Sequence, residues 1–169
     1  MYKTDRLTIR KFLIGDLAPL MDLFSSGDAM RFIGPRRPMT AVEAQNWLKG
    51  QMDAQVNEVT RHAVVLQSTD EFIGVCGFQN IDDIWDFGYY FRPVFWGNGY
   101  ATEACAYLLQ HAKSILGGEP FIVFVAEDNS SSRKVIERCG WKRGERIKKN
   151  DEIGNYYLPA QQDAASQCH

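Results

Sequence analysis

Long apolar segments are missing from this sequence. A membrane-spanning helix needs about 18 or more consecutive apolar residues, and no stretch of the chain approaches that length. The chain also does not open with a positively charged stretch followed by an apolar one, as a secretory leader does. We therefore expect a cytoplasmic protein that has no membrane among its partners.

Histidine and cysteine are scarce and widely spaced. The sequence has three His and four Cys, which are His62, His111, His169, Cys76, Cys105, Cys139 and Cys168. No two cysteines form a C-x-x-C pair, and the histidines do not have the spacing of zinc ligands. We therefore predict no metal site, and we expect the thiols to be free in a reducing compartment.

An excess of positive charge is absent as well. The sequence has 19 Lys and Arg against 21 Asp and Glu, which gives a formal net charge of −2. Without a basic stripe to neutralise phosphates, nucleic acid is not expected as a partner. The composition, 45% hydrophobic and 24% charged, is that of a globular protein. We expect one domain at residues 1–160, a flexible tail at residues 161–169, and a monomer or homodimer.

The most informative part of the chain runs from Asp86 to Ala112, with the sequence DFGYYFRPVFWGNGYATEACAYLLQHA. It reads as a strand, a turn that contains Gly97 and Gly99, and an amphipathic helix that we expect to continue to Gly117. A helix N-terminus carries unpaired N–H groups, and glycines there let an anion approach the backbone. The pattern therefore predicts either a phosphate-bearing ligand held by main chain or an ordinary strand-to-helix connection.

Two known phosphate-binding loops do not fit this turn. The P-loop needs a Lys followed by Ser or Thr after its second glycine, and no such pair follows Gly99. The dinucleotide fingerprint needs Gly or Ala where Thr102 stands, and it belongs on the first strand of its fold rather than past mid-chain. Both readings are excluded.

The segment WGNGYATEA, from Trp96 to Ala104, resembles the acetyl-coenzyme A loop of the GCN5-related N-acetyltransferase (GNAT) superfamily. It is most similar to the RimJ/RimL-type branch of ribosomal-protein N-terminal acetyltransferases, where the usual form is close to WGKGYATEA. Thr4–Arg10 resembles the opening strand of that branch, and Phe72–Phe78 its central hairpin strand. The segment from Asp128 to Trp141 resembles its N-x-x-S…E-K-x-G-F motif. The resemblance therefore covers most of the chain.

Three positions depart from the pattern of the superfamily. Val94 stands where the wider loop pattern often has Gln or Arg, and Asn98 replaces the usual Lys. Ile136 stands where many members carry a tyrosine that acts as a general acid. Another group must then protonate or stabilise the departing thiolate.

The resemblance implies an α+β fold with a mixed, mostly antiparallel central sheet, a splayed strand pair and flanking helices. From the residues we expect strands at 6–11, 61–67, 71–80, 84–92, 121–126, 141–148 and 153–159. Helices are expected at 16–24, 40–57, 100–117 and 130–138, and residues 28–39 should be a loop. Thr40 and Glu43 form a predicted capping box, and Asp16 and Asn129 are predicted helix caps.

The resemblance also implies where acetyl-coenzyme A, the expected cosubstrate, binds. Main-chain groups of Tyr90, Phe91 and Arg92 would pair with its pantetheine arm. The pyrophosphate would lie on the N–H groups of Trp96, Gly97, Asn98, Gly99, Tyr100 and Ala101. Asn129 would bond to the pantetheine or serve as a helix cap, and Arg133 and Lys134 either attract the 3′-phosphate or form a solvated helix face.

Acetyl transfer requires a neutral amine, a stabilised oxyanion and a donor for the thiolate. Asp86 is the first candidate for the general base and Glu152 the second, beside Asp151. The backbone N–H of Tyr90 or Phe91 would polarise the carbonyl, and Ser132 would donate to the sulfur. Ser132 can equally be an ordinary serine of a first helical turn.

The sequence leaves the amine acceptor open. Phe32, Trp47, Trp85 and Tyr89 could line its pocket, with Asp82, Asp83 and Asp86 steering a cationic amine. An acidic turn with core aromatics explains the same residues. A protein N-terminus and a small amine both remain open as acceptors. The alternative is a non-catalytic protein that binds or senses acyl-coenzyme A.

Overall fold

The computed structural model describes residues 1–56, 59–149 and 151–160. Its strands are β1 (Tyr2–Lys3), β2 (Leu7–Arg10), β3 (Arg61–Leu66), β4 (Phe72–Ile81), β5 (Ile84–Phe91), β6 (Phe121–Ile122), β7 (Phe124–Ala126), β8 (Trp141–Lys149) and β9 (Glu152–Pro159). Its helices are α1 (Leu17–Ser25), α2 (Gly27–Met30), α3 (Ala41–Ala54), α4 (Tyr100–Gln110), α5 (Ala112–Ile115) and α6 (Ser130–Arg138). Short 3₁₀ turns span Ile14–Asp16 and Pro93–Phe95.

The strands form two sheets that diverge from each other. The larger sheet has the order β1-β2-β3-β4-β5-β6, and its neighbours are antiparallel except for the parallel pair β5 and β6. The smaller sheet has the order β7-β9-β8, and both of its pairs are antiparallel. The predicted α+β fold with a mostly antiparallel sheet is confirmed.

The splayed strand pair lies where the two sheets separate. Trp85 and Asp86 of β5 pair with Phe121 and Ile122 of β6. The chain then leaves β5, and Phe124 begins the pairing of β7 with β9. The single strand predicted over residues 121–126 is therefore wrong, because it is split at Val123. The carbonyl of Val123 accepts a hydrogen bond of 2.8 Å from the N–H of Tyr157, which directs this part of the chain to the smaller sheet.

The two faces of the larger sheet are buried in two apolar clusters. Phe87 and Phe91 of β5 belong to a cluster with residues of α4, and Ile136 of α6 is buried in it. Tyr90 belongs to a second cluster with residues of α1 and α3, including Phe24. Successive side chains of a strand point to opposite faces, so β5 contributes to both clusters.

Two helix boundaries differ from the prediction. The helix expected to run to Gly117 ends at Gln110, and a short helix follows His111. Both the backbone N–H and the ring Nδ1 of His111 lie within hydrogen-bond distance of the carbonyl of Tyr107, at 3.2 and 2.7 Å. The loop expected at residues 28–39 instead begins with helical residues of α2, because Ser26 caps that turn by accepting from the N–H of Ala29.

The helix caps were predicted with mixed success. The capping box of Thr40 and Glu43 is confirmed, while the expected end of that helix at Asn57 lies outside the described residues. Asn129 caps α6 as predicted, accepting from the N–H of Ser132. Asp16 stands at the N-cap position of α1, but its carboxylate pairs with Arg10 at 2.8 Å instead of capping the helix.

Strand β8 forms the outer edge of the smaller sheet. Its nine residues include five cations, which are Lys142, Arg143, Arg146, Lys148 and Lys149. The register against β9 shifts between Arg143 and Arg146, which marks a bulge. The tail predicted at residues 161–169 lies outside the described residues.

Candidate active site

The turn after β5 presents main chain rather than side chains. Gly97 and Gly99 have φ angles of +79° and +80°, which L-residues with a Cβ rarely adopt. No other part of the described protein lies within 4 Å of where a Cβ of Gly97 would be. Helix α4 begins at Tyr100, and the N-cap residue Gly99 has no side chain to satisfy its first N–H groups. These groups are the kind that bind a phosphate.

The turn is held from the opposite side by the start of the chain. The carboxylate of Glu103 accepts from Thr4 Oγ1 at 2.6 Å, from the N–H of Arg6 at 2.8 Å and from Arg6 Nε at 2.7 Å. Arg6 Nη1 also donates to the carbonyl of Asn98 at 2.9 Å. The sequence showed Arg6 and Glu103 only as parts of two motifs, since nothing in one chain reveals a contact between residues 97 positions apart.

Two side chains of the turn donate hydrogen bonds to nearby main-chain carbonyls. Asn98 Nδ2 donates to the carbonyls of Phe95 and Trp96 at 3.1 and 3.2 Å. The indole Nε1 of Trp96 donates to the carbonyl of Phe91 at 2.8 Å. The side chain of Asn98 therefore shapes the loop. The predicted contribution of Trp96 is wrong, because its N–H donates to the carbonyl of Pro93 at 3.0 Å, which leaves the N–H groups of residues 97–101 to face a ligand.

Strand β5 has one edge that faces the gap between the sheets. The N–H of Arg92 donates to the carbonyl of Ile73 at 2.9 Å, toward β4. Because main-chain groups alternate in direction along a strand, those of Tyr90 also face β4, while those of Tyr89 and Phe91 face the gap. Of the three residues expected to offer main chain to a ligand, only Phe91 points that way, and Tyr89 was missed. The register needed for this distinction is not visible in the sequence.

Ser132 lies on one face of β5, against Tyr89. The two hydroxyl oxygens are 2.6 Å apart, and the Tyr89 hydroxyl is 3.2 Å from the carbonyl oxygen of Ser132. The N–H of Ser132 donates to Asn129 Oδ1 at 3.0 Å. Burial raises the pKa of Tyr89 well above its ordinary value. The structure thus joins Tyr89, Ser132 and Asn129, of which Tyr89 was expected in the acceptor pocket.

A group of polar side chains occupies the opposite face of β5, and we call it the Arg61 cluster. Its members are Arg61, Gln79, Asp86, Tyr90 and Lys149. Arg61 Nη1 donates to Gln79 Oε1 at 2.9 Å and contacts the Tyr90 hydroxyl at 2.5 Å, and its Nη2 lies 3.2 Å from Asp86 Oδ2. Lys149 Nζ lies 2.7 Å from the other carboxylate oxygen of Asp86. Asp86 is therefore ion-paired at both oxygens.

Arg61 is a member of the site that the sequence reading missed. Its side chain is only 11% exposed, and its guanidinium lies over Gly88. A Cβ at Gly88 would be 2.7 Å from Arg61 Nη2, so a larger residue there would displace the guanidinium. The alternation of Asp86, Gly88 and Tyr90 along one strand is the sequence signal of this cluster.

Glu152 lies near the Arg61 cluster at the start of β9. Its Oε2 is ion-paired with Arg36, which belongs to the segment between α2 and α3. Glu152 is paired in register with Lys149, whose side chain reaches Asp86. Lys149 therefore links the two candidate bases, as the ion-pair partner of Asp86 and the strand-pairing partner of Glu152.

The four aromatic residues expected to line an acceptor pocket are not brought together. Trp47 packs on Phe24, with ring centroids 5.1 Å apart, in the cluster of α1 and α3. Trp85 and Tyr89 pack on the opposite face of the sheet. Phe32 is half-buried, with the Arg31 guanidinium 5.1 Å from its ring centre.

The acidic residues predicted to steer an amine also separate. Asp82 and Asp83 are exposed at the tip of the β4–β5 hairpin, with φ angles of +51° and +64°. These angles are typical of a two-residue hairpin turn, which Asp tolerates better than most residues. Asp86 lies farther along β5 in the Arg61 cluster. The steering role of the three acids remains a prediction.

The sheet splays beside a left-handed glycine turn and an uncapped helix N-terminus, as the resemblance to the GNAT superfamily implied. The sequence profile of the acetyltransferase (GNAT) domain matches residues 6–142. The chain therefore belongs to the GNAT family, and it is an acyltransferase. The residues described include no helix that is both long and apolar enough to cross a membrane.

Individual relatives agree with this assignment. The uncharacterized N-acetyltransferase p20 of Bacillus licheniformis is 27% identical over 145 residues, covering 83% of this chain and 81% of that protein. A GNAT-family acetyltransferase from Bacillus anthracis is 25% identical with a TM-score of 0.77, over 92% of this chain and 93% of that chain. Spermidine N-acetyltransferase from Vibrio cholerae, in complex with CoA and spermine, is 19% identical with a TM-score of 0.73, over 92% and 96%. The last likeness concerns the fold alone.

Proposed function

We propose that this enzyme transfers an acetyl group from acetyl-coenzyme A to a primary amine by direct attack in a ternary complex. The observation that carries the proposal is the gap-facing edge of β5 from Phe87 to Phe91. Within the described ranges this edge has no partner strand beyond Asp86. The strand leads into the glycine turn, and its Tyr89 side chain contacts Ser132. Pantetheine amides can pair with such an edge as an added strand does.

The cosubstrate would be held mainly by main chain. Tyr89 offers its N–H and carbonyl to the pantetheine, while Phe91 offers only its N–H, because its carbonyl accepts from Trp96 Nε1. The N–H groups from Gly97 to Ala101 offer a cradle for the pyrophosphate. Asn129 uses its side-chain oxygen to cap α6, and its amide nitrogen can donate to a pantetheine carbonyl. The spermidine enzyme of similar fold is itself described in complex with CoA.

The two faces of β5 suit the two halves of the reaction. An amine that approaches from the Arg61 cluster would attack the thioester from the side opposite Ser132. The N–H of Tyr89 or Phe91 would stabilise the developing oxyanion, and the Ser132 hydroxyl would stabilise the departing thiolate. This division places the attacking and leaving groups on opposite sides of the reacting carbon.

The amine must also lose a proton, and Asp86 and Glu152 are the candidates to take it. Asp86 is ion-paired at both oxygens, with Arg61 and Lys149. Glu152 is ion-paired through Oε2 alone among the described contacts, so Oε1 can accept a proton through water. We therefore favour Glu152 as the general base and assign Asp86 to the support of the cluster.

The charge of the site bears on the acceptor. Arg61 and Lys149 against Asp86 leave the cluster with one net positive charge, and Arg36 and Glu152 cancel each other. A second ammonium group on the acceptor would be repelled at short range. We infer an acceptor with one amine, either a small monoamine or a protein N-terminus, and both kinds of acceptor occur in the RimJ/RimL-type branch.

The test is release of coenzyme A from acetyl-coenzyme A with a panel of amines and N-terminal peptides. The panel includes 1-aminohexane and 1,5-diaminopentane, which have equal numbers of non-hydrogen atoms. We expect turnover, with a KM for the monoamine several-fold below that for the diamine. A lower KM for the diamine would overturn the monoamine inference alone. Binding of acetyl-coenzyme A without release under any condition would support the non-catalytic alternative.

A further inference from the structure

The hydroxyl of Ser132 is held between two elements. Its oxygen is 2.6 Å from the Tyr89 hydroxyl on β5, while its own N–H is fixed by Asn129 at the start of α6. Tyr89 is itself held by packing, since its ring lies 6.3 Å from that of Phe87 and both contact the cluster beneath α4. The backbone of Ser132 and the ring of Tyr89 are therefore each held by contacts of their own.

The direction of the hydrogen bond between them follows from their chemistry. A phenol is the better donor, and burial raises the pKa of Tyr89, so that it keeps its proton. That proton has two acceptors on Ser132, the hydroxyl oxygen at 2.6 Å and the carbonyl oxygen at 3.2 Å, and the shorter contact is the one that an O–H donor favours. When Tyr89 donates, the oxygen of Ser132 accepts. The proton of Ser132 must then point away from Tyr89, because the space on that side is taken by the phenol.

We propose that Tyr89 is a positioning residue for acetyl transfer, which turns the hydroxyl proton of Ser132 toward the departing sulfur. The inference rests on the proposed function, in which Ser132 donates to the thiolate. Ile136, where many relatives have a tyrosine, is fully buried and unable to serve. In this chain a phenol on β5 reaches Ser132 of α6.

The chemical step balances without ionising either hydroxyl. The amine nitrogen bonds to the thioester carbon, the C–S bond breaks, and its electron pair goes to sulfur. The amine proton goes through water to the carboxylate base. Tyr89 and Ser132 keep their protons and stabilise the sulfur anion through a chain of two hydrogen bonds, whose members polarise one another.

The first test is a double-mutant cycle on the turnover number. Tyr89→Phe should lower kcat about tenfold, the equivalent of one hydrogen bond, with the KM for acetyl-coenzyme A unchanged. Ser132→Ala should lower kcat by about 10²–10³. In the Ser132→Ala background, Tyr89→Phe should have no further effect, because it acts only through that hydroxyl. The matched control is Tyr157→Phe, since the buried Tyr157 has its hydroxyl 3.4 Å from Glu137 and away from Ser132.

The second test is spectroscopic and separates positioning from structural support. The thiol pKa of bound coenzyme A, followed by thiolate absorbance, should be higher in Tyr89→Phe than in the wild type. An unchanged titration, an unchanged kcat or additive losses in the cycle would overturn the role of Tyr89. A wild-type protein that acetylates no amine would overturn the proposed function instead, and the thiol titration would still report on the hydroxyl pair.

Discussion

At the scale of single residues, the glycine turn is the most sensitive point of the cosubstrate site. Gly99 needs its left-handed backbone, which costs a residue with a Cβ about 1–2 kcal/mol. Gly99→Val should therefore weaken binding of acetyl-coenzyme A about tenfold or more while the fold remains intact. The side chain would also stand on the surface where the pyrophosphate is expected.

Asn98→Ala is the matched control for this change. Its side chain bonds only to carbonyls of its own loop, so its removal should change the affinity by about threefold at most. Calorimetric titration with acetyl-coenzyme A measures both variants. If Asn98→Ala proved as damaging as Gly99→Val, a side chain and not the backbone would hold the pyrophosphate.

Substitutions of the two candidate bases should have different effects on turnover and on stability. Glu152→Gln should lower kcat and remove the acidic limb of its pH profile, with little loss of stability. Asp86→Asn leaves Arg61 and Lys149 without their partner, and it should lower the free energy of unfolding by about 3 kcal/mol. Urea unfolding measures the stability of both variants, and pH–rate profiles measure the pH dependence of their kcat. A normal pH profile in Glu152→Gln would return the role to Asp86.

At the scale of secondary-structure elements, the sequence predicts best where the signal is local. The capping box at Thr40, the hairpins and the stop at Gly140, with φ +83°, are all set by neighbouring residues, and they are found as expected. The split at Val123 was missed, because continuous apolar residues do not reveal that a strand changes sheets. The break at His111 was missed as well, and there the ring Nδ1 lies 2.7 Å from the carbonyl of Tyr107.

The candidate site shows the same limit. The glycine turn and the cap at Asn129 could be predicted, since each lies within a short motif. The contacts of Tyr89 with Ser132 and of Arg61 with Asp86 join residues 43 and 25 positions apart. Such pairs depend on strand register, which one sequence leaves open.

The open edge of β5 predicts an element-level response to the cosubstrate. The N–H groups of Tyr89 and Phe91 face the gap, whereas that of Arg92 is bonded to β4. Hydrogen exchange at Tyr89 and Phe91 should therefore slow strongly when coenzyme A binds, and exchange at Arg92 should change little. Equal protection at all three amides would mean that the ligand stabilises the whole sheet and does not pair with this edge.

At the scale of the whole molecule, one buried histidine links stability to pH. Burial lowers the pKa of His62 from 6.5 to about 4, and the positive chain terminus adds to the effect. Between these two values the unfolded chain binds a proton that the folded protein does not, so stability falls as the pH falls. At a pH near 4.5 this loss amounts to about 2.5 kcal/mol.

His62→Gln removes this part of the pH dependence. Urea unfolding at neutral pH and at a pH near 4.5 should show a smaller loss of stability in the variant than in the wild type. The exposed His111 provides the control, since His111→Gln should keep the wild-type difference. An equal loss of stability between the two pH values in the wild type and in His62→Gln would show that carboxylates alone set the acid sensitivity.

The basic outer strand β8 has a consequence for crowded solutions. Free strand edges invite polymerisation, because their unpaired N–H and C=O groups can extend a sheet into the next molecule. If two copies paired through β8, the Lys and Arg side chains of the two strands would repel each other. The bulge between Arg143 and Arg146 also interrupts the regular strand edge that such pairing needs. We therefore expect this edge to disfavour strand pairing between two copies of the chain.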